Sequence, residues 1–539
     1  MVHEGTQNSS AIQHGVASQL GIDADRVEVI SPSVGGGFGQ KNSLQPHIGP
    51  LAVAARRLDR PLKLVPTRPE TFHQASFRPA SRQRVRLGAD PSGRLVAAIH
   101  EIDQQTSRHD LFPALYTESS SRLYGIDNFR GRQRLVRTDV QTPGYMRAPF
   151  EHISVYAMES ALDEVAYATG QDPVAIRLAN DAAKDPVSGL PFSSRYVAEC
   201  LRRGAERFGW TTRSPEPRSM RTADGMLIGW GVAIGAYPGN AAAAIAKLTA
   251  KTTGKISVAV AGHEMGQGIR TAITLLVAND LGIGPDAIEV SVGDTRSVPQ
   301  HLTAGSWGTA TALPAVHAAL RELRDRLELP ETGPVDLSAA LEEIGRPRIE
   351  VEASTAGPGQ PVDAMADRLR KGQLAFAGPE YEKFVTFSYV AHFVEVRVEP
   401  TTARIRVPRV VSVADCGRVA SPVTAASQLR GGVIWGIGAT LREQSLVDTR
   451  YGGFLNATME EYPIVVSADV GEIDVDFIDK PDPLINPVGV KGLGEISMVG
   501  VSAAIGNAVF HATGTRFRRL PIHIEDVLAV LDGSESTTE

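Results

Sequence analysis

The sequence predicts an α+β fold in two lobes of mixed sheets and helices. Apolar residues switch irregularly between strand-like and helix-like spacing along the 539 residues, which argues against a barrel or a repeat array. A polar stretch with two prolines and several charges, Thr211 to Gly225, divides the chain. Hydrophobic residues make up 42% and charged residues 22%, an ordinary balance for a globular protein with a large core. The expected organisation is a first lobe over 1–210, a linker over 211–225, a second lobe over 226–532 and a polar, disordered tail over 533–539.

In order, Ser9 to Gly21 reads as a helix and Arg26 to Ile30 as a strand that runs into Gly35-Gly36-Gly37-Phe38-Gly39. Gln83 to Leu87 and Leu95 to Ile102 read as strands joined by the turn Asp90-Pro91-Ser92-Gly93. Helical spacing follows from His152 to Ala168, and Asp172-Pro173 has the form of an N-cap and first helical position. The second lobe opens with strands at Leu227–Ile234 and Ile256–Val260, a helix from Gln267 to Leu281 and a strand from Ile288 to Val292. A long helix from Thr309 to Leu327 comes next, then Gly345 to Glu380, rich in Pro, Gly and Ala, which reads as an irregular surface insertion. Phe384 to Val398 and Ala403 to Val413 pair across the turn Glu399-Pro400-Thr401-Thr402, with helices at Pro422–Leu441 and Ile496–Ala512 beyond.

Several functions are disfavoured at once. The net charge is −6 with no Lys/Arg-rich run, so nucleic acid is not an expected partner. Cys200 and Cys416 are far apart and form no CxxC pair, so they cannot by themselves ligate an iron–sulfur cluster or a structural zinc, nor build a disulfide framework. Both are expected as small buried hydrophobes. The start, Met1 to Gln7, has no basic or apolar leader region, and no apolar run is expected to span a bilayer. A cytoplasmic location is expected, or a periplasmic one if a partner carries the export signal.

Five short loops of small residues carry the chemistry: Gly35 to Gly39; Met146-Arg147-Ala148-Pro149; Gly262 to Gly268; Gly305 to Ala310; and Gly489 to Glu495. Clustered backbone N–H groups near helix starts suit anions, and Gln267, Ser306 and Thr309 add side-chain donors. Together the five suggest a large polar ligand gripped from several sides. Glu495, after a loop with three glycines, reads either as a helix-dipole residue or as a carboxylate held against a ligand. The glycine spacings fit neither a P-loop nor a Rossmann fingerprint, and His263-Glu264 lacks the second histidine of a zinc protease, so His263 is read as a hydrogen-bonding loop residue.

In their order, these loops resemble the molybdenum-binding subunit of the xanthine oxidase family of molybdenum hydroxylases, and most of all bacterial aldehyde oxidoreductase large subunits. Gly293-Asp294-Thr295, Asp415-Cys416-Gly417-Arg418 with Pro422, and Pro191-Phe192-Ser193-Ser194 strengthen the resemblance, which covers nearly the whole chain. It implies two cofactor-binding lobes, with Glu495 as the general base that deprotonates a molybdenum-bound hydroxide and Gln7 hydrogen-bonded to the apical oxo group. It places Gly36, Gly37, Phe38, Gly39, Arg147, Ala148, Gly266, Gln267, Gly268, Ser306, Gly308, Thr309, Lys491, Gly492, Leu493 and Gly494 around the cofactor. That cofactor would be molybdenum–molybdopterin, in its cytosine dinucleotide form, with the metal held through the pterin dithiolene rather than by protein ligands. The 2Fe–2S clusters and FAD would sit on partner subunits.

Departures from the family are informative. Asn42 stands where purine-oxidising members carry a glutamate, which disfavours xanthine, and Phe150 stands where relatives have glycine, where it narrows the substrate funnel or fills a hydrophobic gap. The resemblance implies oxidation of an aldehyde to a carboxylic acid with water as oxygen source, or, as the runner-up, hydroxylation of an N-heterocycle of isoquinoline or nicotinate type. Family members also carry an N-terminal portion, including an α/β domain, ahead of Thr6-Gln7. The expectation is therefore an enzyme completed by a separate chain, with a truncated, inactive homologue as the rival.

Overall fold

The computed structural model describes residues 1–533. All but the first residue of the expected 533–539 tail lies outside that range. Three sheets frame the fold. A three-stranded sheet has the order Ser81–Ala89, Leu95–Ser107, Asn128–Thr138, the first pair antiparallel and the second parallel. A four-stranded sheet runs Val470–Phe477, Ile405–Asp415, Phe387–Val398, Leu227–Pro238, and a second runs Ile288–Ser291, Ile256–Val260, Ala244–Lys251, Arg348–Thr355. Helices cover these sheets, which gives the expected α+β architecture.

Most expected elements are present. The first helix spans Ser9–Leu20 and stops at Gly21, whose left-handed φ of 64° suits glycine alone. Asp172 caps the helix Pro173–Ala179 by accepting from the N–H groups of Val174 and Ala175. The helix Pro422–Leu441 has the predicted bounds.

Other expectations need correction. Gly345 to Glu380 is not an irregular insertion: Arg348–Thr355 pairs antiparallel with Ala244–Lys251 along its whole length, and a helix occupies Val362–Arg370. Ile349 and Val351 alternate inward, but the Gly/Pro turn at 357–361 masks the strand in a sequence window. The strand expected over Arg26 to Ile30 shrinks to Val29–Ile30, because Ala24–Arg26 forms a 3₁₀ turn. The helix expected over Ile496 to Ala512 is a 3₁₀ turn, Ile496–Met498, then Gly500 at φ 94°, then the helix Val501–Thr513. This same stretch, Ile496–Thr513, is apolar enough to match a membrane span, contrary to the expectation of none, yet 94% of it is buried inside the fold. Its apolar character is that of a core helix.

One hydrophobic core joins distant parts of the chain, with Met158 and Leu162 of the helix Glu151–Ala168 packed with Trp230, Tyr389, Phe393 and Val499. A second core lies between the Ala244–Lys251 sheet and the helices Ile269–Leu281 and Trp307–Arg326. The helix Val501–Thr513 rests on the strand Leu227–Pro238 at Gly229 and Gly231, where an added Cβ would lie 1.8 Å from the Ala508 carbonyl oxygen and 2.2 Å from that of Ala504. That close contact fixes the strand whose far end, at Tyr237, reaches Glu495.

Candidate active site

All five loops meet at one cleft of about 250 Å³. Gln7, Gly37, Phe38, Arg147, Gly266, Gln267, Gly268, Ser306, Gly308, Thr309, Lys491, Leu493, Gly494 and Glu495 line it. Gly36, Gly39, Ala148 and Gly492 lie beside these residues in the same loops and shape their backbone. Three non-glycine residues here adopt left-handed backbone: Phe38 (φ 54°), Ala148 (φ 51°) and Ser306 (φ 59°). Such conformations are costly for residues with a side chain and concentrate at functional sites.

The loops fit together only because glycines remove side chains at their contacts. A Cβ on Gly37 would sit 2.3 Å from Gln7 Oε1, and one on Gly492 would sit 2.6 Å from Ser306 Cβ. Gln7 spans three segments: its Nε2 donates to Thr303 O at 2.9 Å and its Oε1 accepts from Gly39 N at 3.0 Å. An amide has a second N–H, which the first bond leaves available. Arg147 is tied down by Nε to Gly494 O (2.7 Å) and by a terminal nitrogen to Gln428 O (3.0 Å) and Ser497 Oγ (2.7 Å). Burial holds its guanidinium down to about 10, although Glu495 opposes this.

Glu495 precedes the 3₁₀ turn Ile496–Met498, as a helix-start residue would, but its side chain caps nothing there. Its carboxylate turns across the cleft wall instead, where Oε2 accepts from Ala148 N at 3.2 Å and the carboxylate also accepts from the Tyr237 hydroxyl. Burial raises its pKa above the ordinary carboxylate range, while Tyr237, the Ala148 N–H, Arg147 and Arg78 pull it back. The result is a carboxylate that stays able to take up a proton.

Other expected residues serve the frame. Lys491 lines the cleft, but its ammonium is enclosed by Ser194 Oγ (2.8 Å), Phe387 O (2.9 Å) and Asp415 (3.2 Å). Gln267 folds back on its own loop, donating to His263 O and accepting from Met265 N, both at 2.6 Å. His263 hydrogen-bonds Ser9 Oγ at 2.8 Å and Thr303 Oγ1 at 3.0 Å, the loop role expected of it. Phe150 packs in the aromatic group of Phe112 and Tyr145, with ring centroids 6.2 Å away. Asn42 is placed outside the cleft lining, with its Oδ1 buried and, among the described residues, without a hydrogen-bond partner.

Sequence reasoning missed part of the site. Arg418, Ser421, Thr424 and Gln428 line the cleft at the start of the helix Pro422–Leu441. The N-caps of three helices therefore face it: Gly268, Ser306 and Ser421. Neither serine caps its own helix, and Ser306 Oγ accepts from Glu495 N at 2.8 Å instead. At the Gly268 start the N–H groups of Gly268 and Arg270 already donate to the Glu264 carboxylate (3.1 and 3.2 Å), so the Ser306 and Ser421 starts are the ones placed to favour an anion. The available signal was Pro422, suited to a first helical position. Tyr237, at the end of its strand, and Trp435, within its helix and with its ring centroid 4.8 Å from that of Phe38, gave no motif.

Comparison with known proteins agrees with this geometry. Residues 1–181 and 203–471 each match a family described as a molybdopterin cofactor-binding domain. The aldehyde oxidoreductase molybdenum-binding subunit PaoC of Escherichia coli is 34% identical over 517 residues, covering 95% of this chain and 69% of the relative. The putative xanthine dehydrogenase molybdenum-binding subunit XdhA of the same organism is 27% identical, covering 96% and 71%. The solved aldehyde oxidoreductase from Desulfovibrio gigas superposes with a TM-score of 0.82 at 24% identity, over 98% of this chain and 57% of that one.

Proposed function

The chain belongs to the molybdopterin cofactor-binding family, and on that premise we propose that it is the catalytic molybdenum subunit of an oxidoreductase that turns an aldehyde into a carboxylic acid with water as oxygen source. One observation carries this reading: a half-buried carboxylate, Glu495, stands in the wall of a cleft built by all five loops, the one acidic side chain in that wall among the described residues. The residues present fit the cofactor. Two helix starts, at Ser306 and Ser421, face the cleft where its anionic part would lie, and the glycine contacts keep the loop backbones close enough to enclose it.

When bound, the molybdenum–pterin group supplies the metal chemistry that activates water and accepts the substrate's electrons. The chain supplies the rest. Glu495 takes up the proton at its carboxylate, and its raised pKa favours that transfer. The free N–H of Gln7 donates into the cleft, and Arg147 holds the Gly494–Ser497 turn so that Glu495 keeps its aim. Gly266 to Gly268 and Ser306 to Thr309, which line the same cleft, suit a cytosine dinucleotide extension. Electrons leave through an iron–sulfur subunit and a FAD subunit, since the two free cysteines of this chain are too few to ligate an iron–sulfur cluster. The higher identity to PaoC than to XdhA, with Asn42 in place of an acid, favours aldehydes over purines.

The test is expression with partner subunits, assayed for metal and for oxidation of aromatic aldehydes. The Glu495→Gln variant is expected to keep molybdenum and lose turnover by at least about a hundredfold, the scale of one general base. Full activity with metal bound would remove Glu495 from this role. A preparation without molybdenum would favour the inactive-homologue reading.

A further inference from the structure

A second carboxylate, fully buried, stands beside the half-buried Glu495. Glu151 opens the helix Glu151–Ala168 and is 3% exposed. Its Oε2 accepts from Phe150 N at 3.3 Å, while Glu495 Oε2 accepts from Ala148 N at 3.2 Å. The two carboxylates thus hang from N–H groups two residues apart on one loop. The nearby cations are engaged elsewhere. Arg78 directs its guanidinium at Ala148 O (2.8 Å) and Arg147 O (2.7 Å), and Arg147 directs its own at Gly494 O, Gln428 O and Ser497 Oγ.

Resting on the function proposed above, we propose that Glu151 is a positioning residue for Glu495: the charge of one carboxylate opposes ionisation of the other, so Glu151 holds a proton that leaves Glu495 as the group that accepts one. Two like charges in one buried site cannot both form cheaply, so their ionisations separate. Burial first, and the charge of Glu495 second, push Glu151 up to about 8, with Arg78 opposing. The other groups facing the pair do not change charge in that range. Burial holds His152 near 3, raises Tyr116 to about 12 and pushes Tyr237 well above its ordinary value, and the guanidinium groups of Arg78 and Arg147 keep their charge, as arginines in proteins do. The pair itself therefore sets the local charge around neutrality.

This has a consequence that does not need a loaded enzyme. In the unfolded chain Glu151 ionises near the ordinary value of about 4.3, whereas in the fold it stays protonated until about 8. Its contribution to stability is thus full at low pH and is lost as pH rises through that window. Thermal midpoints from about pH 5 to about pH 9 should fall more steeply in the wild type than in Glu151→Gln. Infrared spectra should contain a protonated-carboxyl C=O band that titrates near pH 8, is absent in Glu151→Gln and titrates at lower pH in Glu495→Gln. An unchanged pH slope in Glu151→Gln overturns the proposal. If that variant does not fold, Glu495→Gln alone decides, since a band that titrates as in the wild type shows that the two carboxylates are not coupled. Loss of metal or turnover in the wild type would count against the proposed function and leave these two readouts standing.

Discussion

At the scale of single residues, the site depends on how one carboxylate is surrounded. A general base must be ionised to accept a proton, so activity falls as pH drops through its pKa. Burial raises the Glu495 pKa, and the acid limb of kcat/KM is therefore expected above the ordinary carboxylate range. The Tyr237 hydroxyl stabilises the ionised form by donating to it. Tyr237→Phe should move the acid limb to still higher pH, and a limb that stays in place would show that the hydroxyl does not bear on the base. Glu495 was visible in the sequence, since a carboxylate after Gly492-Leu493-Gly494 is a recognisable pattern. Tyr237 and Glu151 were not. Each lies in an ordinary strand or helix start, and only packing brings it beside Glu495.

At the scale of elements, the loops are precise because their glycines are irreplaceable at the contacts. Gly37→Ala would drive a methyl into the Gln7 amide, which a Cβ would meet at 2.3 Å. The expected cost is about 1–3 kcal/mol, the usual scale of overpacking. The expected outcome is retained secondary structure by circular dichroism with bound molybdenum reduced at least severalfold. Full metal content would mean that Gln7 can move without disturbing the cleft. Strands with strong alternation and clear turns were legible, among them Leu95–Ser107 and Phe387–Val398. The strand Arg348–Thr355 was not, because its pattern is short and a Gly/Pro turn follows it directly. Its identity comes from its pairing with Ala244–Lys251.

At the scale of the whole molecule, the site is held by contacts between segments hundreds of residues apart. Arg147 reaches Gly494, and Gln7 reaches Thr303. Beneath them a buried ion pair, Arg177 to Glu159 at 2.8 Å, lies behind the strand Leu227–Pro238, whose Ile234 N–H donates to the same carboxylate at 2.9 Å. The helix Val501–Thr513 seats on that strand through Gly231. Gly231→Ala would place a methyl 2.2 Å from the Ala504 carbonyl and should lower stability by about 1–3 kcal/mol or prevent folding. A lowered thermal midpoint in the variant checks this, and an unchanged one would mean that the helix can shift without loss.

By itself the sequence determined the α+β class, most helices, the five loops and the family to which they point. Those features are local: apolar period, capping residues and glycine runs are written in neighbouring positions. Only the tertiary structure decided that Glu495 turns away from its own helix start to Ala148, that Lys491 is enclosed rather than open to the cleft, and that Glu151 and Tyr237 stand beside the base. The physical reason is that burial and charge at a site depend on which distant segments pack around it, and a pattern of neighbours along the chain carries no record of that packing.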